Sequence, residues 1–258
     1  MLARREVLRQ LGTAPVAAGS LAAVLADPHA VRAAASSLET VAIATASGME
    51  VAAAWGAPAA APAGSVLLIH EWWGLNDYIK ATAADFVAQG YGALAVDLYK
   101  GNVPTTPDEA RAQTQAVVTG EAVETLGAWI DWLKAREDGT GKVGTVGWCF
   151  GGRWSLEASL ARPVDATVIY YGDVTRTAAE LEPLASPVQG HFGTLDERIN
   201  EAMVAGFEAA MAEAGKELTV HWYEANHAFA NPSGGRYDQE DAALAWERTT
   251  AFLAEHLG

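Results

Sequence analysis

From Ser65 to Ile69 the chain runs Ser-Val-Leu-Leu-Ile, an almost unbroken apolar stretch. That pattern predicts a strand buried on both faces. Asp77 to Gln89 then places Ile79, Ala83, Phe86 and Val87 at helical spacing, and Gly90 supplies a stop. Tyr91 to Tyr99 reads as the next strand. Thr106, Pro107 and Glu109 form a capping box with proline at the first helical position. Two helices are predicted after it, divided near Gly120, the second carrying Val123, Leu126, Ile130 and Leu133 on one face. The alternation continues with a strand over Lys142 to Val146, a helix from Arg153 to about Ala161 and a strand over Asp165 to Tyr171. A short helix over Thr177 to Leu184 and a strand over Val188 to Thr194 follow. A helix over Asn200 to Ala214, a strand over Leu218 to Tyr223 and a closing helix over Asp238 to His256 complete the chain. Ahead of this series, Leu38 to Thr45 and Glu50 to Trp55 read as two strands joined at Ser47 and Gly48. The rhythm predicts an α/β protein with a mostly parallel central sheet of about eight strands and helices on both faces.

The first 35 residues break the pattern. Arg4 and Arg5 precede a small-residue apolar run from Leu11 to Ala26, and Ala33 to Ala35 lead into Ser36 and Ser37. This is the layout of an export signal, and the paired arginines resemble a twin-arginine leader. The expectation is a leader over residues 1–35, a domain over 36–258 and export, with a periplasmic destination. An amphipathic or disordered cytoplasmic N-terminus is the alternative. The apolar run is short and rich in Ala and Gly for a membrane span, so none is expected in the mature chain.

The chain has 258 residues and a net charge of −15, which becomes −17 if the leader is cut after Ala35. Nucleic acid is not an expected partner, because phosphate binding needs clustered Lys and Arg. A single cysteine rules out an intramolecular disulfide and a cysteine-based zinc cluster. No His, Asp or Glu spacing suggests a metal site and no phosphate-binding glycine loop is present, so no cofactor is expected.

That cysteine is Cys149, within Gly147, Trp148, Cys149, Phe150, Gly151 and Gly152. A strand runs into this stretch and a helix leaves it. Small residues on either side of a nucleophile, between strand and helix, make a nucleophile elbow. In open α/β sheets functional residues gather where strands end. The residues at those ends are Glu71, Cys149, Asp196 and His227, so nucleophile, acid and histidine come in the chain order of an α/β-hydrolase triad. A helix N-terminus and a nearby histidine should lower the thiol pKa from its free value of about 8.5. His227 would act as base and then acid, and Asp196 would orient it. His70 and His191 lie at or within strands and read as structural.

Four stretches together resemble the dienelactone hydrolase (carboxymethylenebutenolidase) family: His70 to Asn76, Gly147 to Gly152, His191 to Asp196 and His221 to Phe229. The likeness spans roughly residues 38 to 257. It implies an α/β-hydrolase fold and hydrolysis of a lactone or small carboxylic ester through a thioester on Cys149. It also implies that Glu71 contacts the resting thiol and takes part in its activation. By the geometry of the elbow the oxyanion would meet the backbone N–H groups of Phe150 and Trp72. Trp73, Trp148, Arg153 and Tyr171 are candidates for the substrate pocket. Relatives that act on dienelactone hold its carboxylate with arginines. One such position falls near Asn231 here, which is not arginine, and Arg111 is the possible counterpart of another. Two alternatives use the same fold: an amide or thioester hydrolase with the same triad, and a non-catalytic thiol sensor or binding protein. The expected partner is a small molecule, and the expected state a monomer or small homo-oligomer.

Overall fold

The computed structural model describes residues 21–258. Arg4, Arg5 and most of the apolar run read as a leader therefore lie outside the described residues. The described remainder of that segment forms α1 (Leu21–Leu25) and α2 (Pro28–Ala35), the latter capped by Asp27. β1 (Glu39–Ala44) and β2 (Glu50–Gly56) follow as the predicted antiparallel hairpin, turning at Gly48, whose φ of +84° suits glycine. Then come β3 (Ala63–Ile69), α3 (Asp77–Ala88), β4 (Gly92–Val96), α4 (Pro107–Ala116) and α5 (Thr119–Lys134). β5 (Gly139–Trp148), α6 (Phe150–Ala161), β6 (Ala166–Tyr170), α7 (Ala178–Leu181), β7 (Val188–Gly193), α8 (Glu201–Glu213), β8 (Leu218–Tyr223) and α9 (Gln239–Leu257) complete the described chain. α2 packs on α3, and among the described side chains of residues 21–35 only Ala35 is buried.

The strands form one eight-stranded sheet in the order β1-β2-β4-β3-β5-β6-β7-β8. β1 and β2 pair antiparallel, as do β2 and β4, and the remaining pairs are parallel. Strand alternation builds two cores. Val66 and Leu68 of β3 face α3 and α9, where they meet Ile79, Phe86 and Leu253. Leu67 and Ile69 face α5 and α6, where they meet Leu126, Ile130 and Ala158. A third cluster sets α7 and α8 over β6 and β7 through Leu181, Phe207, Ile169 and Phe192.

Several predicted boundaries move: β5 starts at Gly139 and not Lys142, α6 starts at Phe150 and not Arg153, and α7 ends at Leu181 and not Leu184. Two further shifts have a local cause. The break between α4 and α5 falls at Val117 and Val118, both extended, and Gly120 sits inside the first turn of α5. The β-branched pair leaves the helix more readily than a glycine whose amide needs no intrahelical partner there. β4 ends at Val96 because the Asp97 carboxylate accepts the N–H groups of Tyr99 and Gly101 and folds the chain into a turn.

α6 sits close to the sheet on small side chains. Ser155 Oγ donates to the Val168 carbonyl at 2.9 Å and lies 2.9 Å from Thr145 Oγ1, while Ser159 Oγ is 2.6 Å from Thr167 Oγ1. These buried hydroxyls satisfy one another and fix the helix that follows Cys149.

Candidate active site

Cys149 links β5 to α6 with φ 54° and ψ −114°, a conformation rare for a residue with a side chain. Its N–H is held by the Tyr170 carbonyl at 2.9 Å. A Cβ on Gly147 would overlap the Gly151 carbonyl, and a Cβ on Gly151 would overlap the Ile69 carbonyl. The elbow closes only because both side chains are missing.

Three of the residues at strand ends join into one hydrogen-bonded chain. His227 Nε2 lies 3.0 Å from Cys149 Sγ, and His227 Nδ1 lies 2.6 Å from Asp196 Oδ2. Asp196 Oδ1 accepts the N–H groups of Arg198 at 2.9 Å and Ile199 at 3.0 Å. Burial alone would raise the Asp196 pKa, but the His227 and Ile199 donors, the His227 charge and the Arg198 N–H outweigh it and hold the pKa below its ordinary value. An ionised Asp196 keeps the proton of His227 on Nδ1, so Nε2 faces the sulfur as an acceptor.

The thiol departs from expectation. Burial pushes its pKa up to about 12, and the Glu71 charge adds to the rise, while the Phe150 N–H and Arg198 offset only part of it. Cys149 therefore rests as a thiol. Glu71 is buried and raised to about 7, mainly by burial, against the stabilising donors Asn231 and Tyr171. The Asn231 amide donates to Glu71 Oε2, and the Tyr171 hydroxyl lies 3.4 Å from Oε1. Among the described residues no hydrogen bond joins Glu71 to Cys149 (the sulfur faces His227 instead).

A cavity of about 510 Å³ opens beside the sulfur. Of the predicted residues, Glu71, Trp72, Trp73, Cys149, Phe150, Arg153, Tyr171 and His227 line it, and so does Asn231. Among the described residues neither the Trp72 nor the Phe150 N–H has a backbone acceptor, and the Phe150 N–H acts on the Cys149 sulfur, with both residues lining the same cavity. Trp148 is a correction. Alternation along β5 turns it to the α9 side, where it stacks on Tyr170 at 5.4 Å in the core. Arg111 is another correction, since it lies on the exposed face of α4 in an ion pair with Asp108 at 2.8 Å. Thr114, one turn further along that helix, reaches the cavity instead.

His70 and His191 are buried and structural, as expected. His70 Nε2 accepts the Leu98 N–H at 3.2 Å, so Nδ1 carries the proton given to the Glu71 carbonyl. His191 is enclosed by Tyr223, Gln189 and Thr249. Sequence reasoning missed Arg198 and Arg236, which also line the cavity. Arg198 stands two residues after Asp196, a signal that was available. Arg236 comes from the loop beyond β8 and carried none.

A mostly parallel sheet with a strained elbow after a central strand, and with cysteine, aspartate and histidine brought together from the ends of β5, β7 and β8, defines an α/β-hydrolase. Residues 51–257 match the dienelactone hydrolase family, and the chain belongs to it. It is 34% identical over 214 residues to the carboxymethylenebutenolidase of Pseudomonas putida, an alignment covering 77% of this chain and 89% of that enzyme. It is 29% identical over 224 residues to carboxymethylenebutenolidase 1 of Cupriavidus pinatubonensis, covering 83% and 95%. Among solved structures, a dienelactone hydrolase-like promiscuous phosphotriesterase from metagenomic libraries shares the fold. Its TM-score is 0.78 at 21% identity, covering 86% of this chain and all of the other. The chain is thus a hydrolase of the dienelactone hydrolase family.

Proposed function

We propose that this protein hydrolyses a lactone or small carboxylic ester through a thioester on Cys149, with His227 as general base and acid and Asp196 as its orienting group. The observation that carries this reading is the pair of contacts at His227, 3.0 Å to the sulfur and 2.6 Å to the carboxylate.

Because the thiol is a weak acid here, its proton passes to His227 Nε2 as the sulfur attacks the carbonyl carbon, not before. The C=O π electrons move to oxygen, and the Phe150 and Trp72 N–H groups receive the oxyanion. Collapse breaks the acyl C–O bond, and His227 returns the proton to the departing alkoxide. In a lactone the new hydroxyl stays attached to the acyl chain. His227 then takes a proton from water as that water attacks the thioester carbon. The sulfur leaves and regains the proton.

Cys149→Ala tests this directly. It should abolish turnover of an activated ester and of a simple lactone while leaving the unfolding transition in place, and undiminished hydrolysis would sink the mechanism. Asp196→Asn and His227→Ala should each lose several orders of magnitude in kcat/KM, because groups that act as a unit fail together.

A further inference from the structure

Glu71 is a buried carboxylate without a cationic partner among the described ion pairs. Its main chain is fixed, because its carbonyl accepts from His70 Nδ1 at 2.6 Å and from the Gly74 N–H at 3.2 Å. Its side chain is held by two uncharged donors, Asn231 on Oε2 and Tyr171 on Oε1.

Asn231 lies 160 positions away in the chain and is 3% exposed. The orientation of its amide is determined. Oδ1 accepts the Ser233 N–H at 2.9 Å and lies 2.6 Å from Ser233 Oγ. A backbone N–H can only donate, so the amide oxygen must face Ser233 and the NH₂ must face Glu71. The Asn231 backbone is pinned as well, its N–H bonded to the Ala228 carbonyl and its carbonyl to the Gly234 N–H, both at 3.1 Å.

The titratable groups around Glu71 come from each neighbouring element. They are Cys149 at the elbow, Tyr171 after β6, and Tyr78 on α3, whose pKa is pushed up first by burial and then by the Glu71 charge, and Arg153, Asp173, Arg198 and Arg236 line the same cavity without a hydrogen bond to Glu71 among the described residues. His227 lies against the Tyr171 ring, with ring centres 5.2 Å apart. None of these supplies a positive charge against Glu71 in a direct contact. An ionised Glu71 therefore works against loss of the Cys149 proton, and a protonated Glu71 does not.

We propose that Asn231 is a positioning residue. It holds the Glu71 carboxylate with an uncharged donor, and so controls how far the Glu71 charge opposes transfer of the thiol proton to His227. Its place in turnover rests on Cys149 being the nucleophile, but its effect on the thiol is measurable without any substrate.

Cys149 is the sole cysteine, so alkylation by iodoacetamide, followed by intact mass from pH 5.5 to 9, reads this one sulfur. The wild-type rate should show an inflection near pH 7 that Glu71→Gln removes, with Glu71→Gln the faster of the two at pH 8. Asn231→Ala takes away a donor that favours the ionised carboxylate. It should move the inflection up by roughly one pH unit and give a rate at pH 8 between the other two. Asn231→Asp preserves the Ser233 contacts and keeps a negative charge in the pocket at pH 6, where wild-type Glu71 is mostly protonated. Its alkylation at pH 6 should be slower than wild type. If either variant unfolds under urea like the wild type yet its alkylation profile superimposes on the wild-type profile, the proposal is overturned. A wild-type profile identical to that of Glu71→Gln overturns it too. If ester turnover survives Cys149→Ala while these profiles behave as described, the catalytic reading fails and the link between Asn231, Glu71 and the thiol stands.

Discussion

At Cys149 and Glu71 burial acts on two acids that line one cavity, and the Glu71 charge makes the thiol harder still to ionise. A reactive thiolate at rest would be open to oxidation, whereas a thiol that gives up its proton only during attack is protected. The arrangement has a cost in stability. The Glu71 pKa rises from its ordinary 4.5 to about 7 in the folded chain, so the ionised form loses on the order of 3 kcal/mol of stability above pH 7. The sign follows from proton binding. Between pH 4.5 and 7 the folded chain holds more protons than the unfolded one, so this group's contribution falls as pH rises. Urea unfolding should therefore find Glu71→Gln more stable than wild type at pH 8, with the gap closing towards pH 5. A gap that stays constant across that range would show that Glu71 is not buried in the unpaired state described.

At the scale of elements, the site is the junction of β5 and α6, with β7 and β8 delivering the other two members. The junction tolerates no added atoms at Gly147 or Gly151, where a Cβ would strike backbone and not a side chain that could turn aside. Gly147→Ala should thus destabilise the protein by roughly 3 kcal/mol or more. Gly206, in the middle of α8, has open space where its Cβ would stand. Gly206→Ala should stabilise by about 0.5–1 kcal/mol, since alanine loses less conformational entropy in a helix. Urea midpoints of the two variants moving in opposite directions would bear this out, and equal midpoints would refute it. The hydroxyl cluster beneath α6 supports the same junction, holding the helix near enough to the sheet for the Phe150 N–H to face the sulfur.

Over the whole molecule the net charge is −15, yet Arg153, Arg198 and Arg236 line the cavity against Glu71 and Asp173. The balance of charge lining the cavity thus differs from that of the whole chain. No described helix is long and apolar enough to cross a membrane. Residues 21–35 lie on the body mainly through α2 against α3. Among their described side chains only Ala35 is buried. An exported chain cut after Ala35 should keep its fold and its hydrolysis. N-terminal sequencing of the protein recovered outside the cytoplasm should begin at Ser36, and a start at Met1 would end the leader reading.

The amino-acid sequence by itself determined the strand and helix order, the elbow and the chain order of Cys149, Asp196 and His227. These rest on local properties: apolar periodicity, glycine spacing and the residue that stands where a strand stops. Trp148 and Arg111 were misplaced because which face a side chain takes depends on what packs against its element. Asn231 was read by its difference from arginine, and its partner Glu71 could not be seen from 160 positions away. The direction of the thiol pKa was also decided only in three dimensions. A helix N-terminus is a local feature, but desolvation and the charge of Glu71 arise when distant segments close over the sulfur, and here they outweigh it.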